Sequence, residues 1–402
     1  MNIKIEKGVA KGTVSAPPSK SMAHRMLISA ALCQGVSTVR RISMCEDVRA
    51  TIDCLSALGI KIEESGDEVK VYGRGLANIL PSGTLKCRES GSTLRFLIPM
   101  ALITGKTVMF EGAGSLMKRP LGVYEELCKE RGLTFIADGN TVTVRGPLHG
   151  GEFSVVGNVS SQFISGLLFA LPFANEDSTI KITPPIESRS YIDLTLLALK
   201  LFGIRAEWKN EYTLFIPGRQ TPCAHDVTVE GDYSGAAFLD ALNVLGSDVE
   251  VQGLREDSTQ GDRAYKKYFD MILRGVPTVH IGDCPDLGPV LFALAAAKSG
   301  GVFDGTRRLK IKESDRALAM ASELKKFGTS VKVLEDTVVV YPADFHAPSE
   351  PLDGHGDHRI VMALATLLTL TGGEIYGAEA VNKSYPEYFE HLTALGIKVT
   401  QI

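Results

Sequence analysis

The chain has 402 residues, which is too long for one average domain core. Its residues are 44% hydrophobic and 22% charged, an ordinary composition for a globular protein. Its 43 basic and 47 acidic residues give a formal net charge of −4, which argues against the overall basic surface of a nucleic-acid-binding protein. Any site for anions therefore has to be a local cluster of cations.

The cysteines and the hydropathy of the chain argue against zinc-binding, disulfide-stabilised, secreted and membrane-spanning proteins. The seven cysteines are scattered without a Cys-x-x-Cys pair, which argues against a zinc site and against a disulfide framework. Residues 1–7 lack the apolar core of a signal peptide, and apolar runs such as residues 290–297 are too short to span a membrane. We expect a cytoplasmic monomer that binds neither membrane nor nucleic acid.

A helix that ends in glycine and precedes an apolar strand recurs six times. These helices are predicted at residues 50–58, 123–131, 191–202, 264–274, 316–327 and 386–395. The glycines that suit the left-handed position after each helix are Gly59, Gly132, Gly203, Gly275, Gly328 and Gly396, spaced 53 to 73 residues apart. Six such units predict an internal repeat.

Each unit also has a strand before this helix and an apolar helix before that strand. The strands are predicted at residues 37–42, 107–111, 179–183, 248–252, 301–304 and 374–377. The apolar helices begin near Ser21, Ser92, Ser161, Ser234, Asp286 and Asp357. Because a helix that is apolar all round is buried, we predict α/β units with helices inside and sheets outside.

Two irregularities predict the domain boundary. The fourth unit is short and follows Pro222, whereas the sixth stops at Ile402 without a closing strand, which residues 3–5 can supply. We therefore assign residues 14–227 to one domain and residues 1–13 plus 228–402 to the other. Two chain crossings between domains suit a hinge.

Polar residues at the openings of the apolar helices are candidate anion ligands, because a helix N-terminus offers free N–H groups and a positive dipole end. In the first half they are Lys20, Ser21 and Arg25, then Gly91 and Arg95, then Ser160, Ser161 and Gln162. Helix capping alone would also explain each opening.

Basic residues recur in the loop between the strand and the outer helix of several units. They are Lys118 and Arg119, Arg189, the basic run at residues 307–316, and Lys383. Charge runs usually mark a solvated face, but their recurrence at one position of the repeat predicts that these cations converge.

Two carboxylates stand out near these cations. Asp286 opens an apolar helix and Glu313 lies inside the basic run, although a helix cap and an ion pair would also explain them. His355 and His358 are three residues apart, but no cluster of further ligands accompanies them, so a metal site is not expected.

Six ordered motifs together resemble the 5-enolpyruvylshikimate-3-phosphate synthase family of enolpyruvyl transferases. The motifs are Pro18-Ser19-Lys20-Ser21 with Arg25, Gly91 with Arg95, Lys118-Arg119-Pro120, Ser160-Ser161-Gln162-Phe163, Lys312-Glu313-Ser314-Asp315-Arg316 and Asp357-His358-Arg359. The resemblance runs from about Ala16 to Tyr388. It implies a two-domain inside-out α/β barrel with three βαβαββ units per domain, an active site in the cleft between the domains, and no metal or organic cofactor.

The same resemblance implies transfer of the enolpyruvyl group of phosphoenolpyruvate to the 5-hydroxyl of shikimate 3-phosphate, in the shikimate pathway. Shikimate 3-phosphate would be held by Lys20, Ser21, Arg25, Ser160, Ser161, Gln162, Ser188, Asp286 and Lys312. Phosphoenolpyruvate would be held by Lys20, Gly91, Arg95, Arg119, Gln162, Arg316, Arg359 and Lys383. Asp286 would be the general base and Glu313 would exchange a proton with the methylene carbon, with Lys20 and His358 sharing in proton handling.

Two other functions stay open at this point. UDP-N-acetylglucosamine enolpyruvyl transferase shares the fold, but it usually carries a reactive cysteine where residues 112–119 have none. A non-catalytic anion-binding protein on this fold would have no need of Asp286 and Glu313.

The chain also departs from common family residues. The departures are His24, Glu89, Arg308 and Lys310. Gly91 leaves room for inhibitors that resemble phosphoenolpyruvate, so sensitivity to glyphosate is predicted.

Overall fold

A computed structural model describes residues 1–76 and 78–402, and its contacts divide the chain into two compact units. The contiguous unit is Lys20–Glu230. The split unit combines Met1–Ser19 with Gly231–Ile402.

These boundaries differ from the predicted ones by a few residues at each crossing. Residues 14–19 lie in the split unit, because the strand Lys11–Ser15 pairs in parallel with Asp248–Gln252. At the second crossing, Val227–Thr228 pairs with Gln34–Arg40, which keeps the chain in the contiguous unit as far as Glu230.

Six helices of two kinds alternate in the contiguous unit. They are α1 (Lys20–Leu32), α2 (Glu46–Ala57), α3 (Gly91–Ile103), α4 (Gly122–Glu130), α5 (Ser161–Ala170) and α6 (Arg189–Leu201). The helices α1, α3 and α5 are apolar on nearly every face and are almost fully buried. Phe96 of α3 packs against Phe169 of α5, with ring centroids 5.3 Å apart. These three helices therefore form the interior of the unit.

Three sheets of one design cover these helices. In sheet order they are Val227–Thr228, Gln34–Arg40, Glu68–Arg74 and Lys61–Ser65; Leu85–Arg88, Thr107–Gly112, Thr141–Arg145 and Thr134–Asp138; and Gly151–Val156, Ser178–Thr183, Thr213–Ile216 and Glu207–Asn210. The first strand of each sheet is parallel to the second, and the third is antiparallel to both neighbours. This matches the predicted repeat.

The split unit repeats the same helix pattern. Its helices are α7 (Tyr233–Val244), α8 (Tyr265–Arg274), α9 (Gly288–Ala297), α10 (Arg316–Lys326), α11 (His358–Thr371) and α12 (Tyr388–Ala394). The helices α7, α9 and α11 pack on one another and are buried. Each unit thus has buried helices and outer sheets, as predicted.

The sheets of the split unit show how its irregular repeats are completed. Two sheets keep the four-strand design: Thr278–His280, Gly301–Asp304, Thr337–Val340 and Val331–Val333; and Leu352–Asp353, Gly373–Tyr376, Ile3–Ile5 and Val399–Gln401. The strand Ile3–Ile5 closes the sixth unit, as predicted, by pairing antiparallel with both of its neighbours. The short fourth unit has only Asp248–Gln252 beside Lys11–Ser15.

The six glycines predicted to end the outer helices all have positive φ angles, between 65° and 148°. A left-handed residue is costly for any side chain with a Cβ, so glycine is the residue that these helix ends need. Within the described residues, no helix combines the length and hydrophobicity required to cross a membrane.

Candidate active site

The opening of α1 presents two cations. The Nζ atom of Lys20 donates to Oδ2 of Asp47 at 2.8 Å. One turn later Arg25 is buried, and its Nε donates to Oγ1 of Thr195 at 2.8 Å and its Nη1 to the Ser21 carbonyl at 2.7 Å. Burial lowers the pKa of Arg25 to about 10, so the guanidinium stays charged at neutral pH.

The openings of α3 and α5 are joined by one side chain. Gln162 accepts from Nη1 of Arg95 at 2.7 Å through Oε1, and its Nε2 donates to Oγ of Ser92 at 3.0 Å. Ser160 caps α5 by accepting the backbone N–H of Gln162 at 3.3 Å. Arg95 also donates to the Pro120 carbonyl at 3.0 Å, so the loop between the strand Thr107–Gly112 and α4 is tied to the same place.

Gly91 lies directly against two guanidinium groups. A Cβ atom at this position would be 3.2 Å from Nη1 of Arg119 and 3.6 Å from Nη1 of Arg95 and Oε1 of Gln162. The structure therefore brings four of the predicted phosphoenolpyruvate residues together at the N-terminus of α3, a place suited to an anion.

The N-terminal ends of α5 and α6 add two buried hydroxyl groups. Ser161 lies in the first turn of α5, and Ser188 precedes α6 in a left-handed conformation with φ of 56°. The next residue, Arg189, does not join the other cations: its guanidinium stacks 4.0 Å from the Trp208 ring and donates to the Glu211 carbonyl. The predicted convergence is wrong for Arg189, because its guanidinium already contacts an aromatic face and donates to a carbonyl oxygen.

In the split unit, Arg316 is bound to three carboxylates. It donates to Oδ2 of Asp357 through Nε at 2.8 Å, to Oδ1 of Asp286 through Nη1 at 2.7 Å and to Oε2 of Glu313 through Nη2 at 2.8 Å. The side chain is 1% exposed. Burial alone would lower the pKa of Arg316, but Asp357, Glu313 and Asp286 raise it well above its usual range. Arg316 is thus the permanent charge that organises this network.

Asp286 receives two further cations. It lies in a one-turn 3-10 helix, Pro285–Leu287, and contacts Nζ of Lys312 at 3.1 Å and Nη2 of Arg359 at 3.5 Å. Burial opposes ionisation of Asp286, but Lys312, Arg359 and Arg316 outweigh it and hold the pKa well below its usual range. With these partners the carboxylate is a weak base.

Arg359 has donors to spare. Asp357 caps α11 by accepting the backbone N–H of Arg359 at 2.9 Å. The guanidinium is buried, and in the part of the chain that the structure describes its Nε and Nη1 have no hydrogen-bond partner. Buried donors without acceptors are costly, so their presence indicates a place for an anion.

Of the remaining predicted residues of the split unit, Lys383 and His358 are buried and Glu313 is partly buried. Glu313 has a side chain that is 12% exposed, and Lys383 ends the 3-10 helix Ala378–Lys383. The Nδ1 atom of His358 lies 3.8 Å from Oδ1 of Asp357, whereas His355 bonds to Glu323. Among the described residues, no three His, Cys, Asp or Glu side chains are grouped as metal ligands would be.

Two carboxylates that matter for this geometry were not among the predicted site residues. Asp357 binds Arg316 and caps α11, and its place directly before an apolar helix was the available signal. Asp47, which binds Lys20, lies on α2 without any local signal.

Two departures from the family pattern also have definite places. The carboxylate of Glu89 packs directly against Gly114, in the loop that leads to Arg119. Arg308 is buried close to Lys312: burial lowers the pKa of Lys312, and the charges of Arg316 and Arg308 lower it further.

The family of this chain follows from comparison with known proteins. The model of EPSP synthase (3-phosphoshikimate 1-carboxyvinyltransferase) matches residues 5–392. The chain belongs to the EPSP synthase family. Relatives named 3-phosphoshikimate 1-carboxyvinyltransferase are 40% identical in Clostridium novyi, covering 98% of this chain and 97% of the relative, and 37% identical in Clostridium kluyveri, covering 99% and 98%.

Solved structures agree on the fold. Two structures of EPSP synthase from Acinetobacter baumannii superpose with TM-scores of 0.79 and 0.80 over 100% of both chains, at 24% and 23% sequence identity. The predicted family and fold class are confirmed, and the chain is an enzyme of this family.

Proposed function

We propose that this chain transfers the enolpyruvyl group of phosphoenolpyruvate to the 5-hydroxyl of shikimate 3-phosphate and releases phosphate, as a step of the shikimate pathway that leads to aromatic amino acids. Family membership across residues 5–392 supports this reaction over transfer to UDP-N-acetylglucosamine. The observation that carries the chemistry is the contact of Asp286 with Arg359, a buried arginine that still has donors for an anion. We expect the enzyme to act in the cytoplasm as a monomer.

The cations suit the charge of the substrates. A phosphate and a carboxylate on each substrate give about six negative charges in total. In the contiguous unit, the proposed ligands of shikimate 3-phosphate are Lys20, Ser21, Arg25, Ser160, Ser161, Gln162 and Ser188, and those of phosphoenolpyruvate are Lys20, Gly91, Arg95, Arg119 and Gln162. In the split unit, Asp286 and Lys312 are assigned to shikimate 3-phosphate, and Arg316, Arg359 and Lys383 to phosphoenolpyruvate. Predicted placement of the site between the two domains stays a prediction.

The network around Asp286 suggests how binding prepares the base. An anion that takes the donors of Arg359 draws this guanidinium away from Asp286 and weakens its hold on the carboxylate. The pKa of Asp286 then rises toward its usual range, so that it can accept the proton of the 5-hydroxyl. Arg316 keeps at most one N–H for a substrate, because four hydrogen bonds already go to carboxylates. Its main role is therefore to hold Asp286 and Glu313 in place.

The addition step forms a bond between the 5-oxygen and C2 of phosphoenolpyruvate. Asp286 takes the hydroxyl proton while Glu313 delivers a proton to the methylene carbon C3. In the elimination step one proton of the C3 methyl group returns to Glu313 and the C2–O bond to phosphate breaks, which restores the double bond in the product. The proton held by Asp286 leaves with the phosphate, so both carboxyl groups return to their starting states. Holding both substrates together can contribute roughly 7–11 kcal/mol through proximity. Lys20 and His358 stay candidates for additional proton transfer.

Phosphate release tests this proposal. Purified protein is assayed with phosphoenolpyruvate plus shikimate 3-phosphate, and separately with UDP-N-acetylglucosamine, beside Asp286→Asn, Glu313→Gln and the exposed control Asp270→Asn. We expect turnover with shikimate 3-phosphate, and losses of roughly 100- to 10,000-fold in kcat for the two site variants but not for the control. Turnover only with the sugar nucleotide would overturn the acceptor. Tight binding of both substrates without turnover would indicate an anion-binding protein.

A further inference from the structure

The turn that leads into α11 has an unusual backbone. His355 has a φ of 50° and Gly356 a φ of 62°, so two consecutive residues are left-handed. Only glycine adopts this conformation without strain, and a histidine there needs compensating contacts. His355 N–H donates to Oδ1 of Asp353 at 2.7 Å, which closes the turn on itself.

A buried carboxylate of α10 holds this turn. Glu323 is 1% exposed, and its Oε1 contacts Nε2 of His355 at 2.9 Å. Its Oε2 accepts the backbone N–H of Asp353 at 3.0 Å and lies 2.8 Å from Nζ of Lys326. Burial opposes ionisation of Glu323, but these hydrogen bonds keep its pKa below the usual range. Two of its three partners belong to the turn.

This turn also positions Arg316 and Arg359. The N–H of Asp357 donates to the Gly354 carbonyl at 2.9 Å, and the Asp357 side chain binds both Arg316 and the backbone N–H of Arg359. Arg316 is the first residue of α10 and Glu323 lies two turns later on the same helix. The helix α10 therefore holds the start of α11 at two points.

We propose that Glu323 and His355 are positioning residues for Arg316 and Arg359, and that they act by fixing the turn that carries Asp357. Neither residue has to touch a substrate. The inference rests on the proposed function, because it assigns the two arginines to phosphoenolpyruvate. Its specific consequence is that loosening the turn weakens binding of phosphoenolpyruvate more than binding of shikimate 3-phosphate, because most of the proposed ligands of shikimate 3-phosphate lie in the contiguous unit.

The test compares variants that break the contact in different ways. His355→Gly keeps the left-handed backbone and removes the side-chain bond, His355→Gln offers a neutral donor in its place, and Glu323→Gln removes the charge of the acceptor. Lys326→Gln is the matched control, because it removes the partner of Glu323 that lies outside the turn. KM for each substrate, kcat, and the thermal midpoint are measured for all of them.

We expect KM for phosphoenolpyruvate to rise roughly 10- to 100-fold in His355→Gly and Glu323→Gln, and KM for shikimate 3-phosphate to change much less. Both KM values should stay near those of the wild type in the control. His355→Gln should recover part of the loss. Equal changes in both KM values, or a lower thermal midpoint with both KM values unchanged, would overturn the proposal and leave a purely structural role.

The proposed reaction and this inference can fail separately. Turnover by the wild type with shikimate 3-phosphate tests the reaction alone. Calorimetric titration with phosphoenolpyruvate alone, which cannot turn over without an acceptor, compares its binding to the wild type and the variants. Wild-type affinity for phosphoenolpyruvate in His355→Gly would refute the positioning role whatever the reaction proves to be.

Discussion

The two units carry their cations in different electrostatic settings. In the contiguous unit, Arg25 donates to a hydroxyl and to carbonyl oxygens, and Arg95 donates to an amide and a carbonyl. In the split unit, Arg316 alone binds three carboxylates, while Lys312 and Arg359 share one of them. Among the proposed substrate ligands of the contiguous unit, Lys20 differs from Arg25 because it is paired with a carboxylate, that of Asp47.

This difference separates binding from reactivity. A cation with neutral partners, such as Arg25, keeps an unbalanced charge and attracts anions without first breaking an ion pair. Cations paired with carboxylates gain less from an anion, but each anion that displaces a carboxylate makes that carboxylate more basic. We infer that the contiguous unit mainly binds and that the split unit couples binding to proton transfer.

Removing one arginine from each unit is the most direct test of this electrostatic difference and has the largest expected effect. Arg316→Met leaves buried carboxylates without compensation and should lower the free energy of unfolding by about 3–5 kcal/mol. Arg25→Met leaves neutral acceptors unsatisfied and should cost about 1–3 kcal/mol. Urea unfolding at pH 7 measures both.

The same two variants carry an internal control. Because the carboxylates around position 316 can be protonated, the loss in Arg316→Met should shrink as the pH is lowered toward 4, whereas that in Arg25→Met should not. Equal losses at both pH values would contradict the proposed difference between the units.

The pH dependence of catalysis tests whether substrate binding raises the pKa of Asp286. In the free enzyme its pKa lies well below the usual range, so kcat/KM for phosphoenolpyruvate should show no acid limb from this group near pH 4 to 5. In the substrate complex the pKa is expected to rise, so kcat should fall at a higher pH. Profiles of both parameters from about pH 3 to 8, which include the usual range of an aspartate, check this. Coincident acid limbs would mean that substrate binding leaves Asp286 unchanged.

The buried His24 tests whether a titratable side chain next to the cations of the contiguous unit stays uncharged in the folded protein. His24 contacts Oγ1 of Thr51 at 2.7 Å, and burial lowers its pKa to about 3. The unfolded chain therefore binds a proton that the native state refuses, and stability falls below pH 6.5 by at most about 1.4 kcal/mol per pH unit. His24→Asn should lack this acid-side slope in urea unfolding between pH 5 and 7. An unchanged slope would show that the folded protein accepts the proton.

Gly91 offers the smallest expected effect and the most local one. A Cβ atom 3.2 Å from Arg119 requires the end of that side chain to shift by a few tenths of an ångström. Gly91→Ala should raise KM for phosphoenolpyruvate by roughly 5- to 30-fold, as for a minor steric change worth about 1–2 kcal/mol. It should also weaken inhibition by glyphosate, which we predict for the wild type. Inhibition assays on both proteins decide this, and a wild type that glyphosate does not inhibit would contradict the prediction.

Much of the fold could be predicted because its signals are local. A glycine after each outer helix and an apolar surface around each inner helix depend on residues a few positions apart, and Gly132 and Gly396 have the predicted left-handed backbone. Candidate cations could be found for the same reason, because polar residues at the start of an apolar helix stand out. The domain boundary was displaced because the strand Lys11–Ser15 finds its partner at Asp248–Gln252.

By itself, the sequence determined the repeat, the family and which residues are charged at the helix openings. Only the tertiary structure decided how those charges are paired. Arg316 meets Asp357 across 41 residues, His355 meets Glu323 across 32, and Lys20 meets Asp47 across 27. Ion pairing depends on distance in space and on the burial of each group, neither of which follows from separation along the chain. The low basicity of Asp286 and the spare donors of Arg359 follow from that packing.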